Sequence, residues 1–303
     1  MKAVRITEWD KPVQIGQLPQ PSPANDEVLV RVHAAGVNPM EEAIAAGYVK
    51  AIFTLPMQLG RDFAGEVVAV GSDVKHVKAG DAVYGMNANQ ITYAEYAAVK
   101  GNSVARKPKS IDFIHAAAVP TAGLSAWQTL FNLAHLKSGE RILIHGAGGG
   151  IGSFAVQLAK ATGAYVIGHA KGDKAEFVKQ LGADEFIDAD TQRFEDVVGT
   201  VDVVLDTVGG DMVERSFKVL KPGRRFVCMN SRLSEDAGKD RGIVAKGTYT
   251  QATIEDLTKL AEAIDAGKVK VLVQRTFPIE ESQMALSYQP EDGAQGKVVI
   301  TVN

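Results

Sequence analysis

The stretch Arg141-Ile142-Leu143-Ile144-His145-Gly146-Ala147-Gly148-Gly149-Gly150-Ile151-Gly152, continued by Ser153-Phe154-Ala155-Val156-Gln157-Leu158-Ala159-Lys160, decides the fold. An apolar run of strand character passes through a glycine turn into an amphipathic helix, and a junction of this kind is a phosphate cradle. Glycine lets the backbone approach a pyrophosphate closely, while the following helix turns its unpaired N–H groups and the positive end of its dipole toward the anion. A strict G-x-G-x-x-G register would require glycine at 147, 149 and 152. Ala147 holds the first of these places, which leaves Gly146, Gly149 and Gly152 as a G-x-x-G-x-x-G variant. Gly146, Ala147, Gly148, Gly149, Gly150, Ile151 and Gly152 are accordingly assigned to cofactor binding. A second apolar run, Ala164-Tyr165-Val166-Ile167-Gly168, falls where a βαβ unit needs its next strand.

Composition sets the outer limits. A chain of 303 residues with 46% hydrophobic content can bury two cores, since domains usually hold about 100–150 residues. Thirty-three Lys and Arg against 36 Asp and Glu give a net charge of −3, with no overall attraction to nucleic acid or to an anionic membrane. The N-terminus, Met1-Lys2-Ala3-Val4-Arg5-Ile6, lacks the apolar run of a secretory signal, and no segment approaches the roughly 18 apolar residues of a membrane span. A cytoplasmic enzyme is expected. The single cysteine, Cys228, allows no disulfide framework and no multi-thiolate metal site; its apolar neighbours predict a buried strand thiol.

Texture changes near residue 115. Before it, short alternating strands such as Val28–His33 and Gly65–Gly71 dominate, with a stiff Pro19-Gln20-Pro21-Ser22-Pro23 connector between early strands. From Ala116 to about Thr250, helices alternate with apolar strands at Ala164–Gly168, Glu185–Ile187, Val201–Leu205 and Phe226–Met229, with a helix near Lys174–Leu181. That rhythm predicts a parallel sheet with helices on both faces. A helix is expected over Thr253–Ala266 and a last strand over Lys297–Val302.

Six motifs in order carry a family resemblance over nearly the whole chain: Ala34-Ala35-Gly36-Val37-Asn38-Pro39, Leu59-Gly60-Arg61-Asp62-Phe63-Ala64-Gly65, Pro120-Thr121-Ala122-Gly123-Leu124-Ser125-Ala126-Trp127, the glycine loop, Asp206-Thr207-Val208-Gly209-Gly210, and Gly296-Lys297. The chain resembles the zinc-independent quinone oxidoreductase (zeta-crystallin-like) branch of the medium-chain dehydrogenase/reductase superfamily. The resemblance implies an α/β chain in which a Rossmann-type doubly wound parallel sheet, residues 116–257, is inserted into a GroES-like mostly-β catalytic domain, residues 1–115 plus 258–303. It places NADPH in the cleft between them.

Metal-binding members of the superfamily place Cys and His where this chain has Asn38 and Arg61. Neither is a plausible zinc ligand. The six histidines, at 33, 76, 115, 135, 145 and 169, show no close pairing that would rebuild a site, so no metal is expected. Without a Lewis acid, an isolated ketone would lack stabilisation for its developing alkoxide. A quinone or an α,β-unsaturated carbonyl spreads the incoming charge through its π-system, and hydride delivery then needs mainly proximity, orientation and hydrogen bonds.

The catalytic candidates are Asn38, Tyr48 and Thr121. By resemblance, Asn38 lies by the nicotinamide ribose or the substrate, although Asn before Pro39 is also an ordinary turn residue. Thr121 matches a family threonine near the nicotinamide, with a helix cap as its other reading. Tyr48 falls where the family places a substrate-facing tyrosine; a half-buried core tyrosine is the alternative. Glu41 stands where relatives often carry Asp. Asn230 is read as lining the nicotinamide pocket, and Lys297 as approaching the pyrophosphate.

Cofactor choice follows from the end of the second Rossmann strand, Gly168-His169-Ala170-Lys171-Gly172-Asp173-Lys174. NAD-preferring domains carry an acid there for the ribose 2′-hydroxyl. Here Lys171 and Lys174 are available to a 2′-phosphate, or stand simply solvated, so NADPH is expected. Competing readings are an enoyl or alkenal reductase inactive on quinones, separated by pocket width around Tyr48 and Met86, and a non-catalytic crystallin-like or RNA-binding protein, disfavoured by the charge balance. The run Gly242–Tyr249 is expected at the sheet edge, where unpaired backbone groups invite a second copy and a homodimer.

Overall fold

The computed structural model describes residues 1–229, 233–288 and 295–302. Among them, six parallel strands follow the order Glu185–Asp188, Tyr165–Ala170, Arg141–His145, Val201–Asp206, Leu220–Met229, Val244–Thr248. Numbered along the chain this is 3-2-1-4-5-6, the doubly wound dinucleotide-binding order with its switch point beside the Arg141–His145 strand. The strand residues are apolar on both sides because both faces are covered. Ile142 and Ile144 enter the core shared with the helices Pro120–Trp127, Gly150–Ala161 and Ile254–Asp265, while Leu143 joins Ile167, Val204 and Phe226 in the core of the opposite face. Each of these fully buried side chains contributes about 1.5–3 kcal/mol relative to exposure.

The remaining strands build the catalytic unit. Glu27–Gly36 pairs antiparallel with Asp62–Val70 and Tyr96–Lys100, and Asp62–Val70 continues into Ala82–Met86. The late strand Lys297–Thr301 returns to this sheet, pairing Val299 with Gly36 and Ile300 with Ala35. An α/β cofactor sheet is thus inserted within a mostly-strand unit, as expected, and Lys297 is brought beside Val37 and Asn38. Their junction is closed by long-range hydrogen bonds: the Tyr84 hydroxyl donates to the Leu257 carbonyl at 2.5 Å, and Asp265 accepts from the Lys109 and Ser110 amides at 3.1 and 2.8 Å.

Local expectations agree to within a few residues. The helix expected over Thr253–Ala266 is Ile254–Asp265, with the Thr253 hydroxyl capping the Asp256 amide. The helix expected near Lys174–Leu181 is Ala175–Gln180, entered through the tight turn Gly172–Lys174. Cys228 is buried within its strand, and the Val244–Thr248 strand forms the sheet edge.

Candidate functional site at the cofactor cradle

The glycine loop has the shape that its sequence demands. Gly146 sits at φ 72°, in the left-handed region, and a Cβ there would meet the Thr207 hydroxyl oxygen at 2.3 Å. Gly152 is required for another reason: a Cβ there would lie 2.1 Å from the Gly146 carbonyl oxygen and 2.7 Å from Ala147 Cα, so helix and strand could not close together. Gly149 precedes the helix Gly150–Ala161 with extended backbone, leaving the first-turn N–H groups pointing out of the helix end. Ala147, the departure from strict register, is fully buried beneath the helix.

Facing this cradle is a buried polar cluster centred on Asn38, which precedes the helix Pro39–Ala45. Its backbone N–H donates to Glu41 Oε2 at 3.0 Å, its amide nitrogen to Asp62 Oδ2 at 3.2 Å, and its amide oxygen accepts from the Lys297 ammonium. Lys297 also donates to the Val37 carbonyl, and its stem lies 3.5 Å from the position of a Cβ at Gly150, the first residue of the cradle helix. Asp62 is fully buried and also accepts from Thr121, through the backbone N–H at 3.1 Å and the hydroxyl at 2.5 Å. Because the Thr121 proton points at Asp62, the outward valence of that hydroxyl is acceptor only.

The electrostatics follow from burial. Desolvation raises the Asp62 carboxyl, opposed by Lys297, Thr121 and Asn38. Glu41 is pushed up to about 7, first by burial and then by the neighbouring Asp62 charge. Lys297 is lowered by burial, against the pull of Asp62, Glu41 and Glu42.

The other candidates are placed less uniformly. Lys171 is exposed, but Lys174 is only 7% exposed: its stem packs against Gly148 and its ammonium lies 3.5 Å from Asp173 Oδ2. Tyr48 is neither half-buried nor in the Asn38 cluster. It stands 85% exposed, three residues beyond the end of the helix Pro39–Ala45, beside a cleft lined by Glu42, Gln283 and Ser287. Asn230 lies outside the described residues. The histidines need one correction. His145 and His169, at the ends of adjacent strands, meet through Nδ1 atoms 2.8 Å apart, with His145 Nε2 3.0 Å from the Ser216 hydroxyl. Register pairs them directly, which sequence spacing did not reveal. Among the described residues no group of three or more His, Cys, Asp or Glu side chains could hold an ion.

Sequence reasoning missed Asp62, the residue that ties Asn38 to Thr121. It stands inside a quoted motif, but its partners are 24 and 59 residues away, and only its buried setting distinguishes it from a surface acid.

Comparison with known proteins agrees with this arrangement. Residues 24–109 match the family described as alcohol dehydrogenase GroES-like domain, and residues 181–300 the family described as zinc-binding dehydrogenase. A mitochondrial NAD(P)H oxidoreductase of Mus musculus is 33% identical over 91% of this chain and 82% of its own. A chloroplastic NADPH-dependent alkenal/one oxidoreductase of Arabidopsis thaliana is 36% identical over 92% of this chain and 73% of its own. The solved quinone oxidoreductase of Coxiella burnetii superposes with a TM-score of 0.91 at 33% identity, covering 100% of this chain and 99% of that one. With the doubly wound sheet, the glycine cradle and the Asn38–Thr121 cluster in place, the chain belongs to the quinone oxidoreductase-like branch of the medium-chain dehydrogenase/reductase superfamily of oxidoreductases.

Proposed function

We propose that the protein is an NADPH-dependent, zinc-independent reductase of quinones or other conjugated carbonyls such as enones and enals. The observation that carries this reading is the donor set where a catalytic metal would stand. Asn38 and Arg61 offer an amide and a guanidinium, which do not ligate zinc, while Asn38, Thr121 and Lys297 form a hydrogen-bonding surface opposite a phosphate cradle. The cradle suits a dinucleotide: its loop has no space for side chains at Gly146 and Gly152, and its helix end offers N–H groups and dipole to a pyrophosphate. A bound nicotinamide supplies the hydride. Thr121, as an acceptor, suits a ribose hydroxyl, and the free hydrogen on the Asn38 amide suits a carbonyl or ribose oxygen. Lys171 and Lys174 beside the loop suit a 2′-phosphate, and Lys297 the pyrophosphate. The names of the Arabidopsis and Coxiella relatives include both alkenals and quinones.

The test is an NADPH-oxidation screen across quinones, enones, enals and saturated ketones in the presence of a chelator. Turnover of conjugated acceptors alone supports the reading. Turnover of enals without quinones would move it to an alkenal reductase, and a saturated ketone reduced only with zinc would overturn it.

The same proposal includes the division into a catalytic unit, residues 1–115 plus 258–303, and a cofactor unit, residues 116–257; the helix Ile254–Asp265 spans the second boundary. It includes a homodimer formed through the edge strand Val244–Thr248, and light scattering that returned a monomer mass at micromolar concentration would remove that part. Cytoplasmic location is carried with it and is testable by fractionation. Among the described residues no helix is long and apolar enough to cross a membrane.

A further inference from the structure

Among the described residues, two hydrogen-bond donors beside the site have no partner. Arg61 Nε and Asn87 Nδ2 are both buried atoms without a hydrogen bond. Leaving such donors unmet inside a protein is costly, and a ligand-facing role accounts for it here.

Their placement is paired. Asp62 is opposite Met86 in the antiparallel ladder, and one step further the Asn87 N–H donates to the Arg61 carbonyl at 2.7 Å. Arg61 and Asn87 are therefore cross-strand neighbours, and such neighbours present their side chains on the same face. The orientation of the Asn87 amide is fixed. Its oxygen accepts from the Asn89 N–H at 2.8 Å, a group that can only donate, so the nitrogen is the end left unmet. Asn87 is 5% exposed. Arg61 makes no ion pair among the described residues; one terminal nitrogen lies 3.9 Å from Met86 Sδ, a weak acceptor, and its charge is felt by the buried Glu41 carboxyl. Arg61 directly precedes Asp62, the anchor of Thr121 and Asn38.

We propose that Arg61 and Asn87 form the oxyanion site of the reaction, binding the carbonyl oxygen of the acceptor and holding the charge that develops on it. This rests on the reductase reading above. Hydride addition to the conjugated carbon forms a C–H bond at the expense of the C–H bond at C4 of the nicotinamide, and the π-electron pair moves onto the carbonyl oxygen as an enolate, which in a quinone tautomerises to the hydroquinone monoanion. A solvent proton then neutralises that anion. Two preorganised donors, one of them cationic, stabilise the oxygen at the moment its charge appears, which is the service a zinc ion performs in metal-dependent relatives.

The experiment has an arm that needs no cofactor and no turnover. A chromogenic nitrophenol, whose phenolate mimics the product anion, is titrated with pH in the presence of wild type, Asn87→Ala and Arg61→Met. In wild type the bound phenol ionises at lower pH than free phenol, and the phenolate binds more tightly than the neutral form; each substitution removes most of that preference. In turnover, both variants lose on the order of 10²-fold in kcat, the magnitude of one oxyanion donor, while the dissociation constant for NADPH stays at the wild-type value. Unchanged phenolate preference and unchanged kcat in both variants would overturn the proposal. If wild type reduces no conjugated acceptor yet keeps a phenolate preference that the variants lose, the anion site stands and the reductase reading falls. Circular dichroism of each variant, together with Asn87→Gln, which retains an amide donor and is expected to recover part of kcat, separates loss of the donor from loss of the fold.

Discussion

Replacing Asp62 with Asn tests the site's internal scaffold with a change of one atom. The wild-type carboxylate accepts from the Thr121 N–H and hydroxyl and from the Asn38 amide, at 3.1, 2.5 and 3.2 Å. It is also the carboxylate whose charge most favours the buried Lys297 ammonium. An amide puts NH₂ where one acceptor oxygen was, so whichever way it turns, a donor faces a donor. If the NH₂ faces Thr121, the hydroxyl can rotate to accept, which recovers one bond but turns the threonine proton into the cleft. Hydrogen bonds to charged groups contribute about 1.5–3 kcal/mol each, and removing one member of a buried ion pair costs about 3–5 kcal/mol. Against this, Asp62 is itself raised by burial, and Asn carries no such desolvation cost. The net expectation is a destabilisation of about 2–4 kcal/mol, a Tm lower by roughly 5–10 °C. The kcat/KM should fall on the order of 10²-fold as Thr121 and Asn38 lose their fixed positions. Thermal unfolding and steady-state kinetics measure both. A Tm within about 1 °C of wild type, with kcat/KM intact, would refute the reasoning that Asp62 organises the site.

Glu41 is pushed up to about 7 from its ordinary 4.5, so the folded protein holds this proton more tightly than the unfolded chain, and its contribution to stability falls as pH rises through that window. Glu41→Gln, which mimics the protonated form, should match wild type in melts below about pH 4.5 and be the more stable of the two above about 7. Gly152→Val places a side chain against the Gly146 carbonyl and Ala147 Cα, and should abolish NADPH binding by fluorescence titration while lowering Tm. Lys171→Glu combined with Lys174→Ala should weaken NADPH about tenfold to a hundredfold and leave NADH nearly unchanged. Because the Lys174 stem packs on Gly148, the single Lys171→Glu is the cleaner comparison and should give the same sign. An unchanged NADPH/NADH ratio would show that neither lysine reads the 2′-phosphate.

The cofactor sheet was the most legible part of the chain, for a physical reason. Parallel strands buried on both faces read as unbroken apolar runs, and the Gly146–Gly152 turn tolerates few alternatives, so the sequence at 141–206 carries its own register. The Asn38 cluster was half legible. Asn38 and Thr121 could be carried over on motif positions, but their hydrogen bonds meet at Asp62, and nothing within five residues of Asp62 signals a buried acid. Lys297 was read as approaching the pyrophosphate; in the structure its ammonium holds the Asn38 amide oxygen, a contact made across 259 residues of chain. Lys174 was read as available to a 2′-phosphate or as solvated surface; its stem is in fact covered by the glycine loop it flanks. Arg61 was read only for what it does not do, ligate a metal. Its unmet Nε and the opposing Asn87 emerge only from strand pairing.

The central claim is hydride transfer from NADPH to a conjugated acceptor at a site that uses hydrogen-bond donors in place of a metal. Its most direct test is a single-turnover measurement with chelator-treated protein, following NADPH oxidation when an α,β-unsaturated ketone, a quinone and the saturated analogue of the ketone are each mixed in at equal concentration. The account predicts rapid oxidation with at least one conjugated acceptor, none with the saturated ketone, and no change when zinc is restored. Oxidation that requires added zinc, or that proceeds equally with the saturated ketone, would contradict it.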